Sequence, residues 1–170
     1  MEIRDVRPDE YDALGALTVA AYTAVDRRTV ETEGNYAGEL ADVAKRAADA
    51  DVLVAIDGDG TVLGGVTYVP GPKSSSAEFD DPDTAGIRML AVGAAAEGRG
   101  VGEGLVRACL ARAVAAGKRH IALHSTDRMT TAHRLYLRLG FVRDVPNDWE
   151  IFPDFTLLAF RLDFPADDAV

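Results

Sequence analysis

Apolar residues recur along this chain at two periods, and each change of period marks a new element. Residues 87–92 (Ile-Arg-Met-Leu-Ala-Val) are almost continuously apolar and predict a buried strand. Further on, Leu105, Val106, Cys109, Leu110, Ala113 and Val114 recur at i, i+4 and i+8, which predicts a helix with one buried stripe. Glu103 and Arg107 form an i,i+4 pair on its solvated side. Gly117 is placed to stop this helix, and Lys118 and Arg119 suit its negative end. Between strand and helix lie a turn of small residues and then Glu97-Gly98-Arg99-Gly100-Val101-Gly102.

The flanking segments follow the same logic. Ile3 and Val6, set among charges, predict a short strand over 1–6, and Pro8-Asp9-Glu10 opens a helix. Tyr11, Leu14, Thr18, Ala21 and Tyr22 keep a helical spacing along it. Residues 27–34 read as a loop, and residues 36–50 as a second helix with Leu40, Val43 and Ala47 on one face. Val52 to Ile56 is a buried strand, Asp57-Gly58-Asp59-Gly60 a hairpin turn, and 61–69 the return strand. The Asp-x-Asp-Gly run is no calcium loop, because Thr61 stands where a ligand is needed and no Glu follows at the required distance.

Residues 70–85 form a long irregular stretch holding Glu78, Asp80, Asp81 and Asp83, and such loops are usually functional or mobile. A strand is predicted over 120–126 and a helix from Thr130 to Leu139, closed by Gly140. Phe141 to Arg143 starts a strand, 144–154 reads as a loop containing Trp149 and Phe152, and 155–164 is a final strand before a frayed tail. The whole predicts one mixed α/β domain over 1–170, with helices on both faces of a sheet.

Composition narrows the function classes. The chain is 48% apolar and 27% charged, as in an ordinary soluble globular protein. It starts with charges rather than an apolar h-region, and its one cysteine, Cys109, sits in the helix stripe; a cytoplasmic location is expected. Three His and one Cys, scattered, predict no metal site. The net charge of −10 is unevenly divided: residues 88–143 hold ten Arg or Lys against three acids, a net of +7, leaving −17 for the rest. Such a division suits a polyanionic cofactor on one side and a cationic partner on the other. Acidic flanks that serve solubility alone are the alternative.

Three glycines between a strand and a helix start remove Cβ atoms and expose unpaired N–H donors, which suits an anion, usually phosphate; a plain tight turn is the alternative. None of them precedes Lys, so this is no Walker loop. Nor is it a dinucleotide fingerprint: the last glycine position falls on Glu103 or Leu105, and no acidic ribose ligand follows about 20 residues later. The stretch resembles the Gcn5-related N-acetyltransferase (GNAT) family, whose loop reads Q/R-x-x-G-x-G/A after a strand ending Leu-Ala-Val. Here the strand ends Leu90-Ala91-Val92 and the loop ends Gly100-Val101-Gly102, with Glu97 in place of Gln or Arg and Arg99 available to compensate. A second family pattern, Asn-x-x-Ala-x-x-Leu-Tyr-x-x-x-Gly-Phe, is met by Ala132, Leu135, Tyr136, Gly140 and Phe141, with Met129 replacing the Asn.

The resemblance implies an α/β (α+β) fold with a mixed, mostly antiparallel sheet, and acetyl transfer from acetyl-CoA to an amine. By the same likeness Leu90, Ala91, Val92, Glu97, Gly98, Arg99, Gly100, Val101 and Gly102 would bind the coenzyme, and Tyr136 would protonate the departing thiolate. Tyr22, Glu31, Glu33 and Tyr36 would wall the acceptor pocket. Many relatives carry a Glu on or just before the central strand, where this chain reads Ala85-Gly86-Ile87, so the general base is left open among Glu78, Asp80, Asp81 and Asp83. The acceptor expected is a cationic small-molecule or peptide amine, with no nucleic acid or membrane partner; a homodimer is compatible. A non-catalytic acyl-CoA sensor on the same fold is the competing reading. An RNA-binding module is disfavoured by net charge and by arginines without interleaved aromatics.

Overall fold

Residues 1–31 and 36–165 are described by the computed structural model. In chain order the elements are β1 (Glu2–Asp5), α1 (Tyr11–Val25), α2 (Arg28–Glu31), α3 (Tyr36–Ala41), α4 (Val43–Ala47), β2 (Asp51–Ile56), β3 (Val62–Val69) and β4 (Thr84–Val92). After these come α5 (Val101–Ala115), β5 (His120–Thr126), α6 (Thr130–Arg138), β6 (Val142–Arg143), β7 (Trp149–Phe152) and β8 (Phe155–Asp163). Among the described residues the strands form one sheet in the order β1-β2-β3-β4-β5-β8-β6, with β7 also paired to β8. All pairings are antiparallel except β4–β5.

The strands alternate their side chains between two layers of helix. On β2, Val52 packs with Leu14 of α1 and Val43 of α4, while its neighbour Leu53 joins Leu105 of α5 and Tyr136 of α6 on the other face. Full burial of such a side chain is worth about 1.5–3 kcal/mol, so these two contacts decide which helix covers which face. On α5 the inner series Leu105, Cys109 and Ala113 is fully buried, but Val114 is 58% exposed. At about 100° per residue, nine steps from Leu105 carry Val114 to the opposite side of the helix.

Four expected boundaries shift. Residues 28–31, read as loop, form a helical turn, and the helix expected over 36–50 breaks at Asp42. There the Asp42 side chain accepts the Lys45 backbone N–H at 2.9 Å and caps a new helix. The central strand begins at Thr84 instead of Ile87, because Thr84 to Ile87 pair with β5. Residues 149–152, read as loop, form β7, which turns through Pro153 and Asp154 into β8 with the Phe152 and Phe155 rings stacked at 4.8 Å. Glu33 and residues 166–170 of the expected tail lie outside the described residues.

Two irregularities of β4 prepare the site. Its pairing with β5 stops at Ile87 opposite Leu123, although both strands continue, so the sheet parts from Arg88 onward. Against β3, Arg88 pairs with Thr67 and Ala91 with Gly65, so β4 holds one extra residue between these pairs. The bulge is taken up at Met89, whose φ of +53° is rare for a side-chain-bearing residue.

Candidate active site

The glycine turn follows β4 directly. A 3₁₀ turn over Ala94–Ala96 leads into Gly98 and Gly100, which adopt φ of +72° and +77°. A Cβ at either position would meet nothing within 4 Å, so both residues border open space. Among the described residues the backbone N–H groups of Gly98, Gly100, Val101, Gly102 and Glu103 have no acceptor. Five free donors within six residues at the start of a 15-residue helix fit a diphosphate.

The side chains of the turn stay out of the way. Glu97 is exposed and, among the described residues, its carboxylate has no hydrogen-bond or ion-pair partner. Arg99 does not reach across the turn: its Nη2 lies 2.9 Å from Asp57 Oδ2 at the tip of the β2–β3 hairpin. This bond holds the Asp57 carboxyl below its ordinary range. Val101 is buried beneath the turn, and the Cβ position of Gly102 lies 3.5 Å from both Val92 Cγ2 and Leu135 Cδ2. The end of β4, the start of α5 and helix α6 therefore meet at one corner.

Tyr136 belongs to the core at this corner. It is 4% exposed, with its ring 5.7 Å from those of Phe141 and Phe160, and burial raises its phenol above the usual value. Its hydroxyl has no partner among the described residues. Burial also holds Tyr22 well above its ordinary value, with charge on Tyr36 and then on Tyr136 adding to the effect. Tyr22 sits on α1 and Tyr136 on α6, in the two helical layers on opposite sides of the sheet.

On the α1 side the parting opens into a cavity of about 960 Å³. Its floor carries Arg88, Met89 and His124 from β4 and β5, and Trp149, Phe152 and Phe155 form an aromatic wall. Five carboxylates line it (Glu39, Glu78, Asp80, Asp81 and Asp144) against the guanidiniums of Arg88 and Arg161. Glu78 is the one held deep: Oε1 lies 3.1 Å from Arg88 Nη2 and Oε2 lies 3.0 Å from His124 Nδ1. Burial pushes the Glu78 carboxyl up, but the His124 bond and the Arg88 charge outweigh it and leave it below the usual value. The same bond raises the His124 imidazole, against the opposing effect of burial.

The structure thus ranks the acids that the sequence left level. Asp81 is spent at the entry to β4, where it accepts from the Asp83 N–H at 2.9 Å and the Thr84 hydroxyl at 2.8 Å. Asp80 is exposed at the rim, and Asp83 is exposed with its carbonyl bonded to Arg119 and His120. Tyr22 and Tyr36 line the cavity with rings 6.4 Å apart in an edge arrangement, whereas Glu31 pairs with Arg27 in solvent. Sequence reasoning passed over Arg88 and His124. The available signal was the alternation of β5, which buries Ile121 and Leu123 on one face and so sends His124 to the other.

These features agree with what the chain resembles. The model of the acetyltransferase (GNAT) family matches residues 16–141. No curated protein matches it. Among solved structures, a GCN5-related N-acetyltransferase from Kribbella flavida is 25% identical, covering 96% of this chain and 97% of its own, with a TM-score of 0.73. A GNAT-family acetyltransferase of Staphylococcus aureus Mu50 is 12% identical over 95% and 98% of the two chains, with a TM-score of 0.74. The yncA protein of Salmonella typhimurium, solved with its cofactor acetyl-CoA, is 20% identical over 100% and 97%, with a TM-score of 0.70. With a family match over most of its length, and a parted sheet beside a glycine turn at its centre, this chain belongs to the acetyltransferase (GNAT) family.

Proposed function

We propose that residues 1–170 form one N-acetyltransferase domain that transfers the acetyl group of acetyl-CoA to a cationic amine of a small molecule or peptide. The observation carrying this reading is that β4, unpaired from β5 beyond Ile87, runs from a cavity walled by carboxylates at Arg88 and Met89 to the glycine turn with its free N–H groups. Bound acetyl-CoA supplies an activated acetyl thioester. The N–H groups of Gly98 to Gly102 hold its diphosphate, with the positive end of α5 behind them, each favourable charge there being worth about 0.3–1 kcal/mol. Beyond Arg88 the free edge of β4, at Leu90 to Val92, offers strand-like pairing to the pantetheine arm and an N–H to the developing oxyanion. One such donor is worth roughly 2.7–4 kcal/mol. Tyr136 keeps a proton on its phenol oxygen for the leaving sulfur, and its raised pKa keeps that proton in place at neutral pH.

The cavity also favours an enzyme over a non-catalytic acyl-CoA sensor, since binding the coenzyme alone would not call for an acid-lined chamber beyond the thioester. The test is acetyl-CoA-dependent thiol release screened across amine classes. Release with a cationic amine, and with no anionic one, is the expected result. Coenzyme binding with no release in the presence of any amine would establish the sensor.

A further inference from the structure

This chain has no carboxylate on the central strand, which reads Thr84-Ala85-Gly86-Ile87-Arg88-Met89-Leu90-Ala91-Val92, yet a carboxylate–imidazole pair stands beside it. Glu78 arrives on the 70–83 loop, fixed because the Phe79 ring packs over Gly86, where a Cβ would come within 2.7 Å of Phe79 Cε1. His124 Nδ1 lies 3.0 Å from Glu78 Oε2, and His124 Nε2 lies 3.0 Å from the Asn147 carbonyl oxygen. A carbonyl only accepts, so Nε2 carries a hydrogen. If the imidazole is neutral, its Nδ1 lone pair then faces a carboxylate oxygen. With Glu78 ionised, both bonds are made only when the ring holds two protons, so the pocket is shaped for the form that has just gained one.

We infer that Glu78 and His124 together take the proton of the acceptor's ammonium, with His124 as its final holder, an inference that rests on the N-acetyltransfer reading above. The ammonium docks at Glu78 Oε2, and one N–H bond breaks as an O–H bond forms. The proton passes from Oε2 to His124 Nδ1, giving an imidazolium whose Nε2–H stays on the Asn147 carbonyl. The amine is left neutral with a lone pair for attack, and the total charge of the site is unchanged. Arg88, 3.1 Å from Oε1, keeps Glu78 ionised between transfers. The charged groups facing His124 are Glu78 from the loop, Arg88 from β4 and, next to Asn147, Asp148 held by Arg143. Asp144 and Arg161 stand across the cavity.

Two measurements decide the matter. In the first, kcat/KM for a cationic amine is followed against pH. Wild type should show an acid limb above the ordinary His value of about 6.5. His124→Gln should lose that limb and fall by about 10²-fold at neutral pH. It should approach wild type near pH 10, where the amine is free without help. In the second, NMR titration of labelled imidazoles in the coenzyme-free protein, with His124 assigned by its absence in His124→Gln, should place its pKa above about 6.5. Glu78→Gln should shift it downward. An unchanged limb in His124→Gln, or a His124 titration indifferent to Glu78→Gln, overturns the inference. If wild type acetylates no amine, the reading of the function falls, while the imidazole titration still decides whether the pair holds a proton.

Discussion

Arg99 Nη2 sits 2.9 Å from Asp57 Oδ2, so the one cation of the glycine turn is engaged by a carboxylate from the β2–β3 hairpin. Both side chains are more than a third exposed, and exposed pairs are worth about 0–1 kcal/mol. Asp57→Asn should therefore leave thermal stability nearly unchanged. It should also free Arg99 for the coenzyme phosphates and tighten acetyl-CoA binding by up to about fivefold, the equivalent of that energy range. Calorimetry at low and high salt checks this, since the gain should fade as salt rises.

Gly102 separates charge from strain at the same turn. Gly100 has a φ of +77°, so any side chain there strains the backbone, whereas Gly102 lies inside α5 and its Cβ would make ordinary contacts. Gly102→Glu should fold normally and weaken acetyl-CoA binding by at least about tenfold, or 1.4 kcal/mol. Unchanged affinity in the folded variant would move the diphosphate elsewhere.

Tyr136→Phe keeps the ring between Phe141 and Phe160 and deletes a hydroxyl that has no partner among the described residues. Its unfolding midpoint should stay close to wild type. Single-turnover acetyl transfer should fall by about 10²-fold, the lower end for loss of a proton donor. Near wild-type chemistry would reduce Tyr136 to a packing residue.

Salt should slow the reaction with a cationic acceptor. Between about 0.05 and 0.5 M the Debye length shrinks about threefold, which screens the rim carboxylates. Asp80 is the informative position, being exposed on the cavity rim and unpartnered among the described residues. Asp80→Asn should flatten the salt dependence of kcat/KM, whereas Asp81→Asn should also disturb the entry to β4 through Thr84. A salt-insensitive rate with a neutral or anionic best substrate would leave the acidic flanks as solubility surface.

Where a signal was local, the sequence alone determined the outcome. The strand over His120–Thr126 and the Asp57–Gly60 turn were legible with their boundaries, and the glycine turn before α5 with its open N–H groups was too. Each is set by the period of neighbouring residues or by a backbone angle that few residue types accept. The helix break at Asp42 and the strand Trp149–Phe152 were hidden because a capping side chain and a partner strand outweighed local propensity. The fate of Arg99, the parting of β4 from β5 and the pairing of Glu78 with His124 across 46 residues were decided by tertiary structure alone. A hydrogen bond depends on positions in space, and residues so far apart in the chain carry no periodic trace of the contact they will make.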